Sequence, residues 1–325
     1  MDLFKYEKLY WSKGIDFVGG VDEAGRGPLA GPVVAACVIL SKDFDLTGID
    51  DSKKISPKKR KKLYDRIINE SVDVSIGIAH EKEIDDLNIL QATFLAMRRA
   101  IRNLNNKPRQ LLIDGPHSDI KIIPTKNIVK GDSKSGSIAA ASIIAKVYRD
   151  EIMRSYDIIF PEYDFSKNKG YGTKSHIKAL HLHKATPIHR KTFKIVNSNL
   201  PTFSFYKSNN LLAKMGSNYV ISNYVKEDYL ILEMNINLED IDDKIDCLIT
   251  DKHSNVFIKI ISTFNNSDFS IGNLTISSFD RYILSLEKYL IKKDFKKDFV
   301  FNVISVEFNK GLKPKINIIR SEKSH

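Results

Sequence analysis

The sequence predicts an α/β protein in two parts, and three features carry that prediction. Apolar runs short enough to be strands alternate with segments of helical period. The strongest runs are apolar at consecutive positions, as strands covered on both faces require. A stretch of Ser, Asn and Pro without sustained period, over 197–210, separates one such alternation from another. The boundaries expected are 1–200 for the first domain, 201–210 for a linker and 211–325 for a second, smaller α/β domain.

Taken in order, Phe17 to Leu40 holds a short strand reaching Asp22, a glycine-rich turn, and an almost purely apolar run with Val33, Val34, Val38 and Ile39. Ser56-Pro57 ahead of Lys58 to Ile68 supplies an N-cap and a first-turn proline, so a helix is expected there. Val72 to Ala79 reads as a strand. Residues 84–104 read as one long helix, with Leu87, Leu90, Phe94, Met97 and Ile101 at three- and four-residue steps. Gln110 to Ile113 is a strand stopped by Asp114-Gly115-Pro116, which puts Asp114 at a carboxyl end, where open α/β sheets bind ligands. Lys121 to Val129 adds a strand, and Ser137 to Met153 a helix on which Lys146 and Asp150 share a face. A loop over Pro161 to Thr173 and a helix over Ser175 to His183 follow. The second part reads as a helix at 211–226, strands at 229–237, 244–250 and 255–263, a helix at 277–293, and strands at 299–307 and 314–319.

Composition narrows the function classes. Two cysteines, Cys37 and Cys247, lie far apart inside apolar runs, which excludes a disulfide framework and a cysteine zinc cluster and suits a reducing compartment. The N-terminus is charged within its first eight residues and no segment nears the roughly 18 apolar residues of a membrane span, so a soluble, cytoplasmic protein with no membrane partner is expected. Residues 1–200 carry 34 Lys and Arg against 24 Asp and Glu, and residues 201–325 carry 17 against 16, so the first part owns +10 of the net +11. Such an excess attracts polyanions, although a general lysine bias produces the same number.

Asp22, Glu23, Asp114 and Asp150 are four acids delivered to the ends of apolar elements. They supply oxygen ligands for Mg²⁺ or Mn²⁺ and no soft donor for zinc. Two divalent ions held by bridging carboxylates activate water and neutralise a leaving oxygen in phosphodiester hydrolysis. The alternative is four acids that are merely solvated at element ends. Gly25, Arg26 and Gly27 let backbone approach a ligand closely, a geometry suited to the 2′-hydroxyl that separates RNA from DNA; a plain turn is the alternative.

These residues belong to a longer series of ordered motifs. Asp22-Glu23-Ala24-Gly25-Arg26-Gly27-Pro28-Leu29-Ala30-Gly31-Pro32-Val33, Asp51-Ser52-Lys53-Lys54, Asp114-Gly115, Lys130-Gly131-Asp132, Ser137 to Val147, Arg149-Asp150, Lys169-Gly170-Tyr171-Gly172-Thr173 and Pro187-Ile188-His189-Arg190 all occur in this chain. Over about residues 14–195 the chain resembles bacterial ribonuclease HII. The resemblance implies an RNase H-like fold and endonucleolytic cleavage of RNA in RNA–DNA hybrids and at single ribonucleotides embedded in duplex DNA, leaving 5′-phosphate and 3′-hydroxyl ends. It implies Asp22, Glu23, Asp114 and Asp150 as catalytic, metal-binding acids, with Mn²⁺ or Mg²⁺ as cofactor. It implies Gly25, Arg26 and Gly27 as readers of the 2′-hydroxyl, with Tyr171 stacking on the next sugar. Lys53, Lys146 and Lys174 become phosphate contacts, Thr173 a hydroxyl contact with Ser133 a weaker one, and His189 a structural residue. A monomer is expected. The family has an apolar or small residue where this chain has Tyr148.

Residues 211–320 resemble a small family of predicted nucleases of uncharacterised role with a restriction-endonuclease-like fold. Ile245-Asp246-Cys247-Leu248-Ile249 matches its central Asp strand, but Ser217 replaces the acid after Met215-Gly216, Lys259, Ile260 and Ile261 replace a Glu-x-Lys pair, and Asn302 stands where Asp is frequent. An ammonium in place of a carboxylate repels a cation and has no acceptor. A degenerate nuclease fold kept for packing or nucleic-acid binding is therefore expected, with an active DNA nuclease as the alternative.

Overall fold

The computed structural model describes residues 2–49, 55–251, 254–264, 276–293, 298–308 and 314–320, and the chain divides into two compact units. The first comprises residues 1–154, 164–181 and 188–198; the second comprises 155–163, 182–187 and 199 onward.

In chain order the elements of the first part are α1 (Lys5–Trp11), β1 (Val18–Ala24), β2 (Val33–Ile39), α2 (Pro57–Glu70), β3 (Asp73–Ala79), α3 (Glu81–Leu87), α4 (Ile89–Asn103), β4 (Gln110–Asp114), β5 (Thr125–Ile128), α5 (Gly136–Ile159), α6 (Phe165–Asn168), α7 (Lys174–His183) and α8 (Lys194–Asn197). The sheet order is β3-β2-β1-β4-β5. β1, β2 and β3 are antiparallel neighbours, whereas β1, β4 and β5 run parallel. Every residue of β2 is buried, as its unbroken apolar run requires. One face packs against α5 and α2 through Val34, Ala36, Val38, Leu63, Ile67 and Ala139–Ala141. The other packs against α4 through Val33, Ala35, Cys37, Phe94, Met97 and Ile101. The close approach of α5 requires glycine at position 20, where an added Cβ would lie 2.1 Å from the Ser137 carbonyl carbon.

Glu7 of α1 fixes the start of α5. Its buried carboxyl group accepts from the Ser135 hydroxyl at 2.6 Å and the Ser137 amide at 2.9 Å at the positive end of a long helix, and these bonds partly offset the burial that raises its pKa.

The second part contains α9 (Phe203–Ser208), α10 (Leu212–Lys226), β6 (Leu230–Asn237), β7 (Lys244–Thr250), β8 (Asn255–Phe264), α11 (Ile276–Lys292), β9 (Phe299–Phe308) and β10 (Pro314–Arg320). Its sheet order is β10-β9-β8-β7-β6, with β8 and β9 parallel across α11 and the other neighbours antiparallel. Leu286 and Leu290 of α11 meet Phe257, Phe299, Phe301 and Val303 in its core.

Four expectations change, the first being that the loop read over Pro161 to Thr173 contains α6, whose first residue Phe165 is buried. The helix read at 84–104 is two helices, because Asn88 takes φ 72° and its side chain accepts from the Leu90 and Gln91 amides, capping α4 while ending α3. The stretch read as linker contains α9, capped by the Thr202 hydroxyl. The strand read at 121–129 is limited to Thr125–Ile128. Both cysteines are buried free thiols. No helix among the described residues is long and apolar enough to cross a membrane.

Candidate active site

Register explains how two of the four acids meet. Val21 of β1 pairs with Ile113 of the parallel neighbour β4, so Asp22 and Asp114 follow side by side at the carboxyl ends. Val21 and Ile113 both point into the α4-side core, so alternation sends Asp22 and Asp114 to the α5 side. Glu23 is next on β1.

Crowding shows in the acidities. Burial first, then the negative charges of Glu23 and Asp114, hold the Asp22 carboxyl well above its ordinary range, partly offset by hydrogen bonds from the Ser142 hydroxyl and the Glu23 amide, the latter at 2.7 Å. Glu23 is also raised, by burial and by Asp114, against the pull of Arg26, whose guanidinium lies 3.3 Å away. Asp114 accepts from the Gly131 amide at 2.6 Å. Asp150, buried on α5, accepts from Lys146 at 2.7 Å, and Arg60 lies 4.0 Å from its other oxygen.

Each carboxylate is thus engaged by a separate donor, and among the described residues no three His, Cys, Asp or Glu side chains already lie in metal-binding geometry. The donor set nevertheless fits a hard divalent cation. It is all oxygen, and three of its members repel one another in a buried place where added positive charge would relieve them. Ser142, Lys146 and Asp150 step along α5 at four-residue intervals, so one helix face supplies a hydroxyl to Asp22 and the fourth acid. Sequence reading missed Ser142, although its spacing from Lys146 and Asp150 was available.

The loop over Gly25, Arg26 and Gly27 is closely packed at its first residue. Gly25 has φ 102°, and a Cβ there would lie 2.1 Å from the Arg149 Nε, so no other residue fits. Arg26 and Gly27 are exposed, and a Cβ on Gly27 would meet the Tyr171 ring at 3.4 Å. Tyr171 is 45% exposed, so its ring is not part of the core. The Thr173 hydroxyl caps α7, accepting from the His176 amide at 3.3 Å and meeting the Ser175 hydroxyl at 3.0 Å. Lys174 is exposed at the start of α7. Ser133 donates to the Lys130 carbonyl. Lys53 lies outside the described residues. His189 is fully buried, in keeping with a structural role.

In the second unit, Cys247 pairs with Ile258, so Asp246 and Lys259 face each other across β7 and β8. The Lys259 ammonium sits 2.6 Å from Asp243, while Asp246 accepts from the Ser217 hydroxyl at 2.8 Å and the Ile260 amide at 2.7 Å.

Three antiparallel strands followed by two parallel ones, with acids at the ends of β1 and β4 and on the helix laid across them, define an α/β nuclease of the RNase H-like class. The ribonuclease HII family model matches residues 19–196. The ribonuclease HII of Pediococcus pentosaceus is 55% identical over 193 residues, covering 59% of this chain and 75% of that protein. That of Lactobacillus acidophilus is 52% identical over 207 residues, covering 64% and 80%. Among solved structures, ribonuclease H2 from Pyrococcus horikoshii is 26% identical, covers 56% of this chain and 95% of its own, and superposes with a TM-score of 0.47. The chain belongs to the ribonuclease HII family. Its activity is metal-dependent endonucleolytic cleavage of RNA in RNA–DNA hybrids and at ribonucleotides in DNA.

Proposed function

We propose that Asp22, Glu23, Asp114 and Asp150 form the catalytic, metal-holding centre of this ribonuclease and that Mn²⁺ or Mg²⁺ serves there. The observation that carries the reading is the placing of Asp22 beside Asp114, each one residue beyond the last β1–β4 pair Val21–Ile113, where the Asp114 charge adds to burial in raising the buried Asp22 carboxyl. A bound divalent ion supplies charge neutralisation at the scissile phosphate and a more acidic water. The chain's own part is to present the carboxylates, to orient Asp22 through Ser142, and to read the sugar. Gly25, Arg26 and Gly27 address the 2′-hydroxyl, and the Tyr171 ring, lying against Gly27, stacks on the following sugar. Lys53, Lys146 and Lys174 serve the phosphates and Thr173 adds a hydroxyl contact. Products carry 5′-phosphate and 3′-hydroxyl ends. Digestion of an end-labelled duplex with one ribonucleotide tests this: Asp22→Asn and Asp114→Asn are expected to abolish cutting with the fold intact, and wild-type turnover by either would defeat the assignment.

The same reading gives domains at 1–200 and 211–325 joined through 201–210, in a monomeric cytoplasmic protein. The second is a degenerate restriction-endonuclease-like module for packing or nucleic-acid binding, supported by the Lys259 ammonium, which is bound to Asp243 at 2.6 Å and whose positive charge acts on Asp246. An Asp246→Asn chain that lost a metal-dependent cut on all-DNA duplex would favour the active-nuclease alternative.

A further inference from the structure

The motif Pro187-Ile188-His189-Arg190 takes no part in the chemistry above, yet Arg190 is among the largest wholly buried side chains, as is Arg149. Both spend their guanidinium donors on main-chain carbonyls of the glycine loops. Arg190 Nη2 donates to Gly25 at 2.5 Å, Nη1 to Arg26 at 2.9 Å, Nε to Gly31 at 3.0 Å, and Nη2 also to Gly31 at 2.8 Å and Pro32 at 3.3 Å. Arg149 donates to Pro32 at 2.9 Å, Lys169 at 3.0 Å and Ala30 at 3.1 Å. Burial and the neighbouring Arg149 charge pull Arg190 down to about 9, which leaves it charged at neutral pH.

The direction of those carbonyls has a chemical result. In a trans peptide the C=O and the following N–H point opposite ways. With the Gly25 and Arg26 carbonyls turned in to Arg190, the Arg26 and Gly27 amides are turned outward, on the two residues of the loop that are exposed. The neighbouring residues of the motif brace the same loops. The Gly31 amide donates to the Ile188 carbonyl at 2.9 Å, the Arg190 amide to Leu29 at 2.9 Å, and Ala30 bridges His189. His189 Nε2 lies 3.0 Å from His176 Nε2, and His176 Nδ1 lies 2.9 Å from the Tyr171 carbonyl. If His176 Nδ1 donates to that carbonyl, a neutral His176 must accept at Nε2 from His189, which fixes both tautomers.

We propose that Arg190 is the positioning residue of the sugar-reading site: it turns two loop amides toward the ribose 2′-hydroxyl, while His189, through His176, holds Tyr171 in register beside them. The proposal rests on the reading of Gly25 to Gly27 as the hydroxyl contact. A lysine keeps the charge but loses the planar fork that spans four carbonyls.

The test uses the full chain in an Asp114→Asn background, which is expected to bind without cutting, and compares Kd for a duplex with one ribonucleotide against Kd for the all-DNA duplex. Adding Arg190→Lys is expected to shrink that ratio about tenfold, the worth of a hydrogen bond or so, with Mn²⁺ affinity unchanged. A merely structural role would lower the folded fraction and leave the ratio alone, and an unchanged ratio in a folded Arg190→Lys chain overturns the proposal. If the parent chain itself shows no preference, the loop reading fails first. Amide exchange in the Asp114→Asn chain gives a second measurement should the lysine variant not fold: the Arg26 and Gly27 amides are expected to exchange fast when free and slowly only with the ribonucleotide duplex. Protection in the free chain, or equal protection by all-DNA duplex, overturns it.

Discussion

At the scale of single residues the account turns on Asp22, whose raised acidity has a definite sign. An unfolded aspartate titrates near pH ~3.9, and burial with two neighbouring carboxylates puts the folded value well above that. Between the two the folded state binds more protons, so stability present at low pH is lost as pH rises through the window. Metal-free protein is therefore expected to lose stability from about pH 4 upward through Asp22's raised pKa, and Asp22→Asn to flatten that decline in denaturation with chelator present. Cleavage runs the other way, since a ligand carboxylate must be ionised. kcat/KM should fall on acidification, and Asp22→Asn should cost at least ~10³-fold, roughly 4 kcal/mol of transition-state stabilisation. Ser142→Ala leaves the acids in place but frees Asp22 to turn, so a loss of about tenfold in Mn²⁺ affinity is expected by titration calorimetry. The acids were legible in the sequence because each ends an apolar run. Ser142 was not, since a serine among Ala and Ile on a buried helix reads as one more small packing residue. The role of Arg190 was hidden for a related reason: its partners are carbonyls some 160 positions away, and carbonyls leave no mark on a sequence.

At the scale of elements, the site depends on α5 lying close against β1, because that helix carries both Ser142 and Asp150. Gly20→Ala places a methyl group against the Ser137 backbone. It is expected to cost about 3 kcal/mol in urea denaturation and to weaken metal binding as Asp150 withdraws, whereas full stability would show the helix free to shift. Apart from α9, strands and helices of the second part were legible to within a residue or two, because its apolar periods are clean and its turns polar. The break at Asn88 was not legible: the apolar steps from Leu87 to Ile101 continue through it, and only the capping hydrogen bonds reveal that a residue at φ 72° ends one helix and starts the next. The short helix over Phe203–Ser208 escaped notice because six residues are too few to show a period.

At the scale of the whole molecule, the positive excess lies in residues 1–200 and the second part is nearly balanced. Affinity for a hybrid is accordingly expected to fall steeply with salt, and the slope of log K against log salt to be the same for the full chain and a chain ending near residue 200. That shorter chain is also expected to melt at a lower temperature, because residues 155–163 and 182–187 group with the second unit, where Glu162 pairs with Lys214 at 3.0 Å. A sequence-drawn boundary near 200 could not show this, since composition shifts mark where a chain becomes loop-like and not which core its segments join. The central claim is that Asp22, Glu23, Asp114 and Asp150 converge on a cation. The most direct measurement is the anomalous difference map of crystals soaked in Mn²⁺. The account predicts a peak bounded by those four carboxylates, with oxygens roughly 2.0–2.2 Å from it; a peak elsewhere, or one that leaves Asp22 and Asp114 uncoordinated, would contradict it.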